Sequence, residues 1–425
     1  MTLPSFVLKG DICYSETPDR LACRPASYLV CENGICRGVF AELPEQYRNL
    51  PLTDCGRQLI LPGMSDLHVH APQFAYRGLG MDLELLDWLY AYAFPEETKY
   101  RDNAYARRAY GVFTEHLKRS ATTRAVIFGT VHREATEILM EQLDEIGLPC
   151  FVGKLNMDRD CPDDLREPDA AASAAETERW ILETRDKYRV VKPVITPRFL
   201  PSCTDECLRR IGELAEKYGI PVQSHLSENP SEMEYVQKLF PDIPFYGEGY
   251  NQYGLFGQTP TVMAHCIYSV DKEVELMREN GVYVAHCPSS NMNLCSGIAP
   301  IRRYLDLNLH VGLGSDVAAG ESESIFGEIR AAIAVSKLRC RYIDPDAKPL
   351  SFAEAFYLAT LGGGEFFGKV GSFAPGYAVD LLVLDDEAAP HPQPLDIAER
   401  LERSVYLSAD KNRILAKFAD GVRIF

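Results

Sequence analysis

Long hydrophobic runs are missing from this sequence. No stretch approaches the roughly 20 apolar residues needed to cross a bilayer. The opening residues, MTLPSFVLKGDICYSE, have neither the basic start nor the apolar core of a secretory leader. Both absences predict a cytoplasmic protein with no membrane partner. Positive charge is scarce as well: 44 Lys and Arg stand against 61 Asp and Glu, a net charge of −17. The basic residues are scattered and form no stripe that would displace counterions from a polyanion, which argues against a nucleic-acid partner. No G-x-G-x-x-G follows the first strong β-run, so a dinucleotide site has no support. The thirteen cysteines are dispersed and complete no structural zinc pattern, which reads as reduced, mostly buried thiols. One pair is set apart: CENGIC puts Cys31 and Cys36 on either side of Asn33-Gly34, a hairpin signal, where two facing thiols are either core or a minor metal site.

What is present has an order. At about 150 residues per domain, 425 residues suggest two or three domains, although an α/β barrel alone can exceed 250. Short β-type runs fill residues 1–60 and 370–425, which predicts one small β-sandwich domain assembled from both ends of the chain. Between them, over 61–369, eight apolar runs alternate with amphipathic helical stretches such as SCTDECLRRIGELAEKYG and SVDKEVELMRENG. The runs are LILPGMSDLHVH, TRAVIFGT, LPCFVGKL, VVKPVITPRF, IPVQSHLSE, TVMAHC, GVYVAHCPSS and LHVGLGSD. Eight β-runs alternating with helices predict an α/β fold, a (β/α)8 TIM barrel, with a doubly wound open sheet as the alternative.

Most of these runs turn polar at their C-terminal end, the face on which barrel active sites are built. The first ends in His68-Val69-His70, the fifth in His225, the sixth in His265, the seventh in His286 and the eighth in Asp316. Side chains alternate along a strand, so His68 and His70 share a side and can reach one ion, with Val69 opposite. His225 and Asp316 would complete a metal set of three nitrogens and one oxygen, with a position left for water. A single strand-end histidine is ordinarily a hydrogen-bonded core residue; the convergence of several gives the pattern its force. Glu228, three residues past His225, is placed either as a first-turn acid of the next helix or, beside a metal, as a partly desolvated proton carrier. His116 and His391 read as structural or surface groups, and His310 opens the eighth run, so it should face the opposite end of the barrel.

These motifs resemble the amidohydrolase superfamily and, within it, the guanine deaminases. The resemblance runs over nearly the whole chain, from LPGMSDLHVHAPQFAYRGLGMDLELLDWLYAYAFPEE through KPVITPRFLPSC, QSHLSEN, TVMAHC, AHCPSSNMNLCSG and GLGSDVAAG to VGSFAPGYAVDLLVLD. It implies His68, His70, His225 and Asp316 as metal ligands. It implies His70, Gln73, Arg198, Phe199, His225, Glu228 and Asp316 as substrate-contacting residues, and Glu228, His265 and Asp316 as catalytic ones. A binuclear relative would need a lysine where Thr196-Pro197-Arg198 stands, so one ion per subunit is expected. Zinc is the first choice and Fe2+ a possible substitute, with no organic cofactor. The implied reaction is the deamination of guanine, a free small purine base, to xanthine and ammonia; the alternatives are another aminopurine, a pterin, a triazine, or a non-catalytic relative. A homodimer is implied as well.

Arg198, with its planar donor fork, suits a purine carbonyl, though by itself it also reads as a surface ion pair. Gln73 can match a base edge. Phe199, with Trp88 or Phe94, can stack on the ring, although Trp88 sits at helical core spacing. Residues 240–258, FPDIPFYGEGYNQYGLFGQ, match none of these motifs and are a candidate for shaping the pocket.

Overall fold

The computed structural model describes residues 3–386, 391–407 and 413–425. Eight parallel strands carry the middle of the chain: Met64–His70, Thr122–Phe128, Cys150–Gly153, Val191–Pro193, Val222–Leu226, Thr261–His265, Tyr283–His286 and His310–Leu313. They form two four-stranded sheets that join end to end. Ile195 bridges to Val222 between the fourth and fifth strands. Between the eighth and the first, the Asp316 amide donates to the His68 carbonyl at 2.8 Å, and the His70 amide to the Val317 carbonyl at 3.2 Å. The ring is therefore closed, as the eight β-runs predict. Its helices follow local rules. Asp205–Tyr218 starts where the Thr204 hydroxyl accepts from the Cys207 amide and stops at Gly219, whose φ of +63° is the left-handed turn that frees the chain from the helix.

Alternation along the strands sorts side chains into two layers. Leu67, Val126, Val194, Val262, Ala264, Ala285 and Cys287 fill the lumen, while Val69, Ile127, Val152, Val222, Met263, Val284 and Leu313 pack outward under the helices. On the first strand Leu67 faces in and Val69 faces out. Successive parity thus slips by one between them, at a register irregularity spanning Asp66 and Val69. That slip turns both His68 and His70 inward.

The terminal segments form one seven-stranded sheet, in which Phe6–Thr17 and Leu52–Pro62 lie near the centre and Leu381–Leu384 and Ile414–Ala419 continue it. The sheet curls until its ends meet. The hairpin tip at Asn33-Gly34 lies against the tip at Asp420-Gly421, where a Cβ on Gly34 would fall 2.6 Å from the Asp420 carbonyl. Leu8, Ile12, Leu29, Cys31, Cys36, Ile60 and Phe373 form its own core. Cys31 and Cys36 face each other across the hairpin that turns at Asn33-Gly34 as free thiols, donating to the carbonyls of Pro4 and Phe373. Gly63 joins the sheet to the barrel where the backbone packs too closely for a side chain, since a Cβ there would meet the Thr123 hydroxyl at 2.2 Å. Two buried cations hold the layers together. Arg124 of the second barrel strand bonds Asp380 and Asp420, and Lys417 of the sheet donates to the carbonyls of Leu117, Lys118 and Ser120 at a helix end. Among the described residues no helix is long and apolar enough to cross a membrane.

Candidate metal centre and active site

At the C-terminal mouth of the barrel the Nε2 atom of His70 lies 3.2 Å from those of both His68 and His225. Asp316 Oδ1 is 3.1 Å from His68 Nε2 and 3.4 Å from His70 Nε2. His68, His70 and Asp316 are almost fully buried and His225 is partly so. Phe128, which no sequence motif flags, packs its ring against His68, His70 and His225 with centroids 4.5–4.9 Å away. The His225 Nδ1 faces the Arg198 carbonyl at 2.5 Å, so Nδ1 carries the proton and the Nε2 lone pair points into the cluster. Three imidazole nitrogens and a carboxylate crowded so closely lack the donors to satisfy one another. A cation between them resolves this, and the donor set suits a divalent ion of the zinc type.

Electrostatics point the same way. Burial, with the neighbouring imidazoles, holds His70 and His225 well below the ordinary histidine value, so both stay neutral and able to ligate. Burial alone would push Asp316 up; the facing His68, with His265 and His70, outweighs it and keeps the carboxylate ionised.

Two further groups stand beside the cluster. Glu228 follows the fifth strand, where the backbone passes through the left-handed region at Ser227 (φ +49°). Its Oε2 lies 3.4 Å from His265 Nε2, and its Oε1 accepts from the Ser296 hydroxyl at 3.1 Å. Burial, then the carboxylates of Glu232 and Asp316, push its pKa well above the usual range. His265 owes its position to backbone strain: on the sixth strand Val262 and Ala264 face inward, so His265 should face out, but a φ of +72° swings it into the mouth. Its Nδ1 lies 2.8 Å from Asn291 Oδ1 and its Nε2 3.7 Å from Asp316 Oδ2.

The seventh strand behaves differently. Its lumen residues are Ala285 and Cys287, so His286 points outward among the helices, where burial, then His265, push it down to about 3. It does not join the converging histidines. His310 is half-exposed at the strand's other end, stacked on Tyr283. His116 and His391 also lie away from the cluster.

A cavity opens over these groups, lined by His70, Gln73, Arg198, Phe199, His225, Glu228, His265 and Asp316 together with Leu85, Trp88, Leu89, Leu294 and Ala319. Arg198 is not a surface residue: its guanidinium is buried, ion-paired to Glu97 and laid over the Phe94 ring at 4.9 Å. Gln73 Nε2 donates to the other Glu97 oxygen at 3.0 Å. Trp88 lines the cavity, whereas Phe94 supports Arg198 from below. None of residues 240–258 reaches the lining. Tyr250 bonds Ser224 and the His225 carbonyl from behind the fifth strand, and Tyr246 bonds Glu232.

The comparisons with known proteins agree with this arrangement. Residues 59–423 match the model of the amidohydrolase family. The guanine deaminase of Dictyostelium discoideum is 37% identical over 367 residues, covering 84% of this chain and 81% of that protein. The Escherichia coli guanine deaminase is 33% identical over 393 residues, covering 90% and 86%. In structure, a C. acetobutylicum guanine deaminase crystallised with guanine in its active site superposes with a TM-score of 0.96 at 45% identity, covering 99% of this chain and all of that one. A closed barrel whose strand-end donors gather at one mouth, matched by that family model from residue 59 to residue 423, places the chain in the amidohydrolase family.

Proposed function

We propose that this chain is a guanine deaminase, which hydrolyses guanine to xanthine and ammonia. His68, His70, His225 and Asp316 would hold one ion, with zinc best suited to three imidazoles and a carboxylate and Fe2+ able to replace it. A divalent ion in such a set lowers the pKa of a bound water to about 7, which makes hydroxide available at neutral pH.

The remaining work falls to side chains. Asn291 holds the Nδ1–H of His265, so the His265 Nε2 lone pair faces Asp316 and Glu228 and can take a proton from water. As the carbon bearing the exocyclic amine becomes tetrahedral, the neighbouring ring nitrogen needs a proton. Glu228 is placed to supply it, since its charged form is desolvated and faces two other carboxylates, which favours the protonated acid. Ionised Glu228 would then take the water-derived proton from His265 and pass it to the departing amine, which leaves as ammonia, and the second proton of the water would return to Glu228 as the new carbonyl forms. Arg198 would take the purine carbonyl oxygen, and Phe199 and Trp88 would bound the ring faces. No organic cofactor enters.

The strongest support is the presence, in one cavity, of a metal-type donor set, a desolvated carboxyl whose pKa is pushed up and a buried arginine. Ammonia release across guanine, adenine, a pterin and a triazine tests the reading. Turnover of guanine well ahead of the others is expected, and turnover only of another base would overturn it.

Thirteen unpaired cysteines suit a reducing compartment such as the cytoplasm. Exposed Leu338, Tyr342 and Ile343, at and just beyond the end of the helix Ile325–Tyr342, offer apolar surface for a homodimer, which light scattering would detect.

A further inference from the structure

Glu97 is buried, with its side chain 1% exposed, and both of its oxygens are engaged. One accepts from Gln73 Nε2 and the other from an Nη group of Arg198. It touches neither the four donors nor the reacting atoms, yet it binds both polar residues of the cavity's far wall. The arrangement is local in origin. Phe94 and Glu97 lie three residues apart on one helical turn, so they share a face; the ring supports the guanidinium and the carboxylate grips its edge. With its amide nitrogen committed to Glu97, Gln73 can present only its carbonyl elsewhere. That Oε1 is buried and has no partner in the protein. A buried acceptor without a donor is destabilising, and a ligand N–H would offset that cost.

We propose that Glu97 is a positioning residue that sets base selectivity, by fixing an acceptor at Gln73 beside a cationic donor at Arg198 so that the cavity takes a purine with a ring N–H next to a carbonyl and rejects one with an amine in the carbonyl's place. The proposal rests on the guanine reading for its ligand class. It extends that reading by naming the residue behind the discrimination and the edge it reads. A 6-amino purine would bring a donor to Arg198 and a bare ring nitrogen to the Gln73 carbonyl, leaving both sides unsatisfied.

Hypoxanthine and adenine are the probes, because they differ at this edge and neither carries the amine that guanine loses. Calorimetric binding of each to the metal-loaded protein should show a preference for hypoxanthine. In Glu97→Gln that preference should fall at least about tenfold, because a neutral amide no longer dictates how Gln73 is turned. Glu97→Asp keeps the charge but cannot reach both partners, and should fall in between; it also carries the test should Glu97→Gln not fold. Gln73→Leu should lose preference while leaving the metal content unchanged. An unsubstituted protein indifferent to the two bases, or folded Glu97 variants with an unaltered preference, would overturn the proposal. Guanine turnover is scored separately. If it is absent while the preference still shifts in Glu97→Gln, the proposed reaction fails and the positioning role stands.

Discussion

Burial and two neighbouring carboxylates act in the same direction on Glu228, favouring its protonated acid, and the proton it would supply is what the proposed chemistry spends. Glu228→Gln should therefore leave metal content and melting temperature close to normal while lowering kcat by about 10²–10⁴-fold. A near-normal kcat would remove Glu228 from the mechanism. At this scale the sequence was informative wherever chemistry and strand position coincided. His68, His70, His225 and Asp316 stand at or just past strand ends, where a closed barrel brings them together, although His68 and His70 both face inward only through the slip between Asp66 and Val69. Parity decided the rest. His286 looks like its neighbours in sequence, but its place on the seventh strand sends it outward. His265 reaches the mouth only through a left-handed backbone that no spacing rule anticipates. Glu97 was unreadable for another reason: in FPEE it is indistinguishable from Glu96, which bonds Lys99 and Tyr105. Only the packing shows which of the two faces Arg198.

Among the elements, the stretch from Leu85 to Glu97 does the most for the cavity. Two short α-helical turns flank a wider π-type turn at Leu89–Ala93. Pro95, which lacks an amide proton, disfavours regular continuation there. One face of this irregular helix gives the cavity Leu85, Trp88 and Leu89, and its last turn fixes Arg198. Helical spacing made Trp88 look like core, and it is both core and wall. The loop 240–258 carried aromatic residues that suggested a pocket, but Tyr246 and Tyr250 brace the fifth strand and the Glu232 beside Glu228. A second brace is testable by pH. Glu328, on the helix Ile325–Tyr342, accepts from the amide and hydroxyl of Ser289 and so anchors the short helix that carries Asn291. Burial pushes Glu328 up to about 8. Below the unfolded value near 4.5 both states hold the proton. Between there and about pH 8 only the folded state does, so stability falls as pH rises through that window. The slope is at most about 1.4 kcal/mol per pH unit. Glu328→Gln should flatten that decline in melting temperature between pH 5 and 8. An unchanged slope would show that Glu328 is ionised in the folded protein.

In the molecule as a whole, the sheet built from both ends of the chain and the barrel are joined by buried charge. Arg124 bridges from the barrel to Asp380 and Asp420, and its removal strands two carboxylates, one of them fully buried. Arg124→Ala should cost about 3–5 kcal/mol by denaturant unfolding, with the metal site unaltered in the protein that remains folded. A loss below about 1 kcal/mol would mean that the Arg124 ion pairs add little to the interface. The pattern of β-runs at both ends and alternating elements between made the architecture legible, because period and order survive any packing. The curl that brings the two hairpin tips together depends on contacts between residues nearly 400 positions apart, which no local pattern encodes. The closed ring, in turn, gathers His68, His70, His225 and Asp316 at one mouth, where the proposed single ion would bind. Metal content and guanine turnover, followed together as a chelator strips the protein and a divalent ion is added back, test this most directly. The expected result is conversion of guanine to xanthine that vanishes with the metal and returns in proportion to about one ion per chain. Guanine hydrolysis that persists in metal-free protein, or a fully loaded protein that leaves guanine untouched, would contradict it.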